Sequence, residues 1–364
     1  MKEGWEVKKL GEVCEYIKEQ GNYNDLPYVG MEDIEPKTGV FIGDLTPKVV
    51  ASSTFRFFAG YVLFGRLRPY LRKTLIPNFN GHCSTEIFPI KPTNSLDPRF
   101  LQYWFGLDLT NSVINDTCTG ARMPRANMNQ VLEIKIPLPN LSEQERIVGI
   151  LDIAFAKIEV LRCNAEKNLQ NTKALFQATL KQELTPKGIS TKIIKDLYNI
   201  KTGKLNSNAS IENGKYPFFT CSRSIFAINE YAFDCEAILL AGNNASGDFN
   251  VKHYHGKFNA YQRTYVITTK YKETVCRLLY YVLENYLSKL KSMSIGANTK
   301  FLKIGMIENV SIIDVSSFEQ QTIVTKLDAL SECCKKMEEN YNQTIAHCNA
   351  LKQALLKKAF NGEL

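Results

Sequence analysis

Four His and two Trp in 364 residues leave little for histidine-based metal or acid–base chemistry. No two of the ten cysteines stand in C-x-x-C spacing, which excludes a zinc ribbon or a redox dithiol and predicts free thiols in a reducing, cytoplasmic compartment. Long apolar runs are missing, and the opening MKEGWEVKK has no signal-like core, so neither a membrane span nor export is expected. Neither sign of charge dominates: 45 basic residues against 37 acidic give +8, and the stretch 188–316 holds most of the excess, with 16 basic against 10 acidic. That local excess suits a polyanionic partner.

Catalytic motifs are absent as well. Lys201-Thr202-Gly203-Lys204 lacks the first glycine of a phosphate-binding loop, and neither G-x-S-x-G nor H-E-x-x-H occurs. The Asn-Pro-Pro-aromatic segment with which DNA amino-methyltransferases hold their target amine is also missing. His253 and His255 would point to opposite faces of a strand, a poor pair for one metal ion. The expectation is a chain with no catalytic residue, no metal and no cofactor of its own.

What is present is an internal repeat. Glu143 to Leu184 aligns without a gap on Glu319 to Phe360, a shift of 176, with matches such as Gln144/Gln320, Leu151/Leu327, Asp152/Asp328 and Leu180/Leu356. The same shift pairs Gly120-Ala121 with Gly296-Ala297, and the apolar runs beginning at 61 and 237. Two halves therefore follow one plan, each a variable segment followed by a more similar tail. The expected segments are 1–141, 142–187, 188–316 and 317–364.

Both tails carry a 3.5-residue apolar period, predicting two long helices paired as a coiled coil. Steps of four and three give the first seam as Ile147, Leu151, Ala154, Ile158, Leu161, Ala165, Asn168, Thr172, Leu175 and Thr179, and the second runs from Ile323 through Leu351 to Leu355. Ser142 and Ser317 are the N-cap candidates, and Thr185-Pro186-Lys187-Gly188 the stop of the first helix. Some 40 residues of helix span about 60 Å, the length of a rigid spacer. A helical hairpin that merely completes a core is the alternative. The variable halves mix strand-like runs (60–64, 86–90, 237–240, 265–269) with helix-like ones (99–107, 275–290), so each reads as a compact α/β domain.

Polar and basic clusters mark both halves. In the first, Arg66, Arg68, Tyr70, Arg72 and Lys73 follow an apolar strand, and Arg122 and Arg125 sit in a glycine-containing turn. In the second, Asn243, Asn244 and Ser246 replace the arginines, with Lys300 in the matching turn. Arginine forks suit phosphates and guanine edges, whereas asparagine suits adenine. Lys252, His253, Lys257, Tyr261 and Arg263 add candidates for phosphate contact. If both clusters read bases, the two halves read different sequences.

The opening Trp5-Glu6-Val7-Lys8-Lys9-Leu10-Gly11-Glu12, the Q-x-x-I-V-x-x-L-D helices, the strings GYVLFGRLRPYLRK and CSTEIF, and the terminal LKQALLKKAFNGEL together resemble the specificity subunit of type I restriction-modification systems. The resemblance implies two tandem mixed α/β target recognition domains in pseudo-symmetric repeat, separated by two long helices forming an antiparallel coiled coil. It implies that each domain reads one half of a bipartite, asymmetric site on double-stranded DNA, with Ser84 and Thr85 of CSTEIF joining the DNA-binding candidates. It also implies two methyltransferase subunits docked on the helices, restriction and motor subunits added to that core, and S-adenosylmethionine held by the methyltransferase rather than here. The alternatives are a coiled-coil scaffold that binds no DNA, a fusion with its own methyltransferase, and a silent variant that donates domains by recombination.

Overall fold

The computed structural model describes residues 4–185 and 188–364, so Pro186 and Lys187 of the expected stop lie outside the described residues. Two compact units result, one from Met1–Ala165 with Gln343–Leu364, the other from Glu166–Asn342. The division falls inside the long helices Leu141–Leu184 and Ser317–Asn361, not at their ends, so each unit takes a share of both. The first unit holds Ile147, Val148 and Leu151 from the start of one long helix, and Leu356, Ala359 and Phe360 from the end of the other, in a single core. The second repeats the arrangement with Val324 and Leu327 against Leu180 and Leu184.

The first unit carries two four-stranded sheets. One orders Cys14–Tyr16, Ile87–Pro92, Val62–Gly65 and Thr74–Leu75; the other orders Gln20–Gly21, Thr54–Phe57, Gly81–Cys83 and Tyr28–Val29. The second unit instead has one six-stranded sheet, ordered Tyr198–Thr202, Thr264–Thr269, Phe233–Ala241, Val251–Ala260, Tyr216–Phe219 and Phe226–Ile228. The runs at 61 and 237 do not alternate polar with apolar because both faces of their strands are covered. Val62 and Phe64 enter one core and Leu63 another, just as Ile238 and Leu240 enter one and Leu239 another.

In each unit a helix is gripped by a long helix. Helix Pro98–Gly106 begins where the buried Gln144 accepts from the Asp97 backbone N–H at 2.8 Å and donates to the carbonyls of Ser95 and Pro139, both at 2.8 Å. Asp152, two turns further along, accepts from Arg99 at 2.6 Å and from the Tyr103 hydroxyl at 2.5 Å. Helix Cys276–Met293 is held identically: Gln320 accepts from Val275 N–H at 2.9 Å, and Asp328 takes Arg277 at 2.8 Å and Tyr281 at 2.5 Å. Burial first, and the adjacent aspartate second, push both phenols well above their ordinary pKa.

The long helices pair antiparallel. In the first unit Arg146 donates to the Leu364 carbonyl and Lys352 to Glu159; in the second, Lys326 meets Glu183 at 2.6 Å while Cys334 approaches Thr172 at 4.0 Å. The seam differs in phase from the expected one. Leu151, Ile158, Ala165 and Thr172 are buried, but Leu161 and Leu175 are more than half exposed, and Phe155 and Phe176, one position along from Ala154 and Leu175, turn inward in their place. The larger aromatic surface wins the inward position because burial free energy scales with apolar area. Asn168 is exposed, whereas Thr172 stays buried with its hydroxyl donating to the Asn168 carbonyl at 2.8 Å. The caps also lie earlier than expected. Asn140 accepts from Glu143 N–H at 2.9 Å, and Ser316 exchanges hydrogen bonds with Glu319 in a capping box.

Two predictions follow from these contacts. Gln144→Ala leaves the part-buried Asp97 N–H, the buried Pro139 carbonyl and the part-buried Ser95 carbonyl without their partner, so it lowers unfolding stability by about 1–3 kcal/mol in urea titration, while an exposed control such as Lys157→Ala changes it little. Glu159, held by Arg162 and then by Lys352, has its pKa lowered to about 2 from 4.5. A carboxylate depressed on folding contributes stability that is complete above its unfolded pKa and is lost as pH falls from there toward 2. Glu159→Gln therefore flattens the pH dependence of thermal unfolding across that window.

Candidate nucleic-acid interface

Each unit builds one platform from two backbone segments, and the register of 176 holds across it. In the first, the strand ending at Gly65 runs into Arg66, whose carbonyl accepts from Ala126 N–H at 3.0 Å; Leu67 bridges to Arg125, and Arg68 N–H donates to Pro124 at 2.8 Å. Thr119 and Arg125 close the turn between them. In the second, the Gly242 carbonyl accepts from Leu302 N–H at 2.9 Å, Asn243 pairs with Phe301, Asn244 pairs with Lys300, and Ile295 and Phe301 close the turn. Asn243 thus takes the place of Leu67, Asn244 that of Arg68, and Asn298 that of Arg122. Gly296 needs its glycine: φ is +110°, and a Cβ would lie 2.0 Å from the Thr299 carbonyl.

The candidate cations divide into those that build the platform and those that stand free on it. Arg125 donates through Nε to both oxygens of Glu86 at 2.9 and 3.1 Å, and Arg66 lies 3.8 Å from the same carboxylate with its guanidinium 5.1 Å over Phe88. Arg72, at φ +52°, reaches the Gly106 carbonyl and Asp108, and Lys73 donates to the Met31 carbonyl. Ser84 accepts from Glu86 N–H at 3.2 Å, which orients that acid, while Thr85 is exposed. Arg68 and Arg122 are exposed, and their side chains have no hydrogen-bond or ion-pair partner among the described residues. Tyr70, two residues on from Arg68, is half exposed.

In the second unit the Asn244 side-chain oxygen accepts from Ser246 N–H, Ser246 Oγ and Asp248 N–H, so it shapes the turn. Arg263 is exposed, and its carbonyl accepts from Gly242 N–H at 2.9 Å, so it adjoins the platform; half-buried Tyr261 donates its backbone N–H to Phe219. Lys252 donates to the Ser222 carbonyl at 2.6 Å and to Asn250, and burial pushes its pKa down. His253 pairs with Glu236 at 2.7 Å. Lys257 stands across from Asp234, at the end of strand Phe233–Ala241 away from Gly242, with its ammonium 4.8 Å over Tyr231. The structure therefore does not bring His253 and Lys257 to the platform.

Sequence reading missed a pocket beside the first platform. Tyr16, Lys18, Arg66, Phe88, Asn127 and Asn129 line it, with Lys18 5.4 Å over Tyr16 and the rings of Tyr16 and Phe88 4.7 Å apart. It also missed Glu86, although that residue stands inside the CSTEIF string. A lone acid between two arginine-bearing loops was the available signal.

Two such platforms on mixed α/β units, with paired long helices in each, define a tandem recognition protein. The family model for the type I restriction modification DNA specificity domain matches residues 2–171 and again 186–347. The chain belongs to that family, as a type I restriction-modification specificity subunit with two such domains. It is 40% identical over 169 residues to the EcoDI specificity subunit of Escherichia coli, a match spanning 46% of this chain and 37% of that relative. It is 23% identical to the MjaIX specificity subunit of Methanocaldococcus jannaschii across 99% of this chain and 93% of the relative. Among solved structures, one from a study of complex assembly and conformational transition of the type I R-M system matches with a TM-score of 0.82 and 21% identity over 100% of this chain and 99% of that one. The HsdS subunit from Thermoanaerobacter tengcongensis matches at 0.60 and 21% over 100% of this chain and 98% of that one.

Because Arg68 and Arg122 hold nothing in place, Arg68→Ala and Arg122→Ala leave the unfolding midpoint unchanged and weaken binding of specific duplex DNA. Arg125→Ala instead lowers stability by about 1 kcal/mol, since it releases Glu86. Calorimetric unfolding set beside a DNA-binding titration separates the two classes.

Proposed function

We propose that each domain reads one half of a bipartite, asymmetric site on double-stranded DNA, the first through Arg68 and Arg122, the second through Asn243, Asn298 and Lys300. The observation that carries this reading is the platform built twice in one register with different side chains on it. Equal scaffolds give equivalent placement on a duplex, while arginine in one and asparagine in the other favour different base edges.

The long helices set the spacing of the half-sites and dock two methyltransferase subunits, and restriction and motor subunits join that core. Catalysis and S-adenosylmethionine belong to those partners, and the chain itself works by binding. No helix among the described residues is long and apolar enough to cross a membrane, which fits a cytoplasmic complex on DNA.

Methylome sequencing of cells expressing the chain with its methyltransferase partner tests the reading directly. It should return one gapped motif with two unrelated halves. Asn298→Ala should relax the half read by the second domain by about 1–3 kcal/mol of discrimination and leave the other half intact. A continuous motif, or equal relaxation of both halves, would sink the assignment.

A further inference from the structure

We propose that Glu236, His253 and Cys276 form a binding site for a zinc-class divalent cation in the second unit. The three side chains come from strand Phe233–Ala241, strand Val251–Ala260 and the first residue of helix Cys276–Met293. A carboxylate oxygen, an imidazole nitrogen and a thiol sulfur all lie within 4.8 Å of one another. His253 Nε2 and the Glu236 carboxylate are already 2.7 Å apart.

The donor set decides the ion. Nitrogen, oxygen and sulfur together suit borderline-soft zinc, bound at about 2.0–2.3 Å with three protein ligands and water in the fourth position, and do not suit calcium or magnesium, which take oxygen. Tetrahedral bonds of that length put ligand atoms roughly 3.3–3.8 Å apart, so the cluster closes by about an ångström at its widest and opens at the His–Glu pair. Glu236 is exposed, so its carboxylate can make that adjustment by turning away from His253 Nε2. Cys276 Sγ is buried and has no hydrogen-bond partner among the described residues, so a soft donor stands beside a carboxylate and an imidazole. On binding, a metal–sulfur bond forms, the S–H bond breaks, and the proton passes to solvent; no oxidation state changes.

The site would pin the sheet to the helix one residue before Arg277, where Asp328 takes hold, and one after Val275, where Gln320 does. The first unit has Pro98 at the position matching Cys276, so the brace belongs to the second domain alone. It also gives His253 a task away from DNA.

Titration of the full chain with Co2+ as a spectroscopic probe, then Zn2+ as competitor, tests this independently of DNA binding. The expected result is one Co2+ per chain with a thiolate-to-metal charge-transfer band, displaced by Zn2+, and a Zn2+-dependent rise in unfolding temperature. Cys276→Ser abolishes the band while the other nine cysteines remain. The variants His253→Gln and Glu236→Gln, at a half-buried and an exposed position outside the apolar core, weaken affinity at least about tenfold. Absence of the band in the parent chain, or a band and thermal shift that persist unchanged in Cys276→Ser and His253→Gln, would overturn the proposal.

Discussion

Everything in each unit depends on one grip: a glutamine and an aspartate, eight residues apart on a long helix, holding the start of a shorter helix. The glutamine accepts from a half-buried backbone N–H at the start of that helix, which would otherwise be left unpaired. The aspartate takes an arginine and a tyrosine from the next turns, fixing rotation about the axis as well as position. Both grips lie within their own units, at Gln144 and Asp152 and at Gln320 and Asp328. The sheets they support differ greatly, four strands twice against six strands once. The variable part therefore differs between the two units while its attachment does not.

The same separation of roles recurs inside the platforms. Backbone pairing at 66–68 and 124–126, and at 242–244 and 300–302, fixes where the loops stand. Arg125, Arg72 and Lys73 are used as struts in the first unit, and Asn244 as a strut in the second. What remains free at each site is a small number of side chains on a rigid base. Side chains on a rigid base lose less entropy on meeting a ligand, so few contacts can discriminate.

Much of this was legible in the sequence because the repeat is a physical statement: two segments that share a register share neighbours. The shift of 176 carries from the long helices through Val62/Ile238 and Leu67/Asn243 to Gly120/Gly296. It fails at the gripped helices, where Arg99 and Tyr103 match Arg277 and Tyr281 at a shift of 178, and so the partners of Asp152 and Asp328 escaped a gapless alignment. The seam was misphased at Leu161 and Leu175 because a heptad count weighs all apolar residues alike, whereas Phe155 and Phe176 have more area to bury. Which arginines are struts could not be read at all. That depends on Glu86 and Asp108, residues brought near only by folding.

Those acids also bear on the charge of the first half, which is nearly balanced at 16 basic against 15 acidic residues over 1–141, at first sight unfavourable for a DNA reader. Glu86, Asp108 and Asp152 each hold an arginine in place, so their negative charge is already neutralised at short range and does not face a ligand. A net count does not distinguish Arg68 and Arg122 from the paired arginines, yet among the described residues no acid lies at ion-pair distance from either. At physiological ionic strength, with a screening length of about 8 Å, a phosphate at the platform responds to the nearest free guanidinium rather than to the total. In the second half the excess appears in the count itself, 16 basic residues against 10 acidic over 188–316. Local pairing, not composition alone, thus sets the charge that each platform presents.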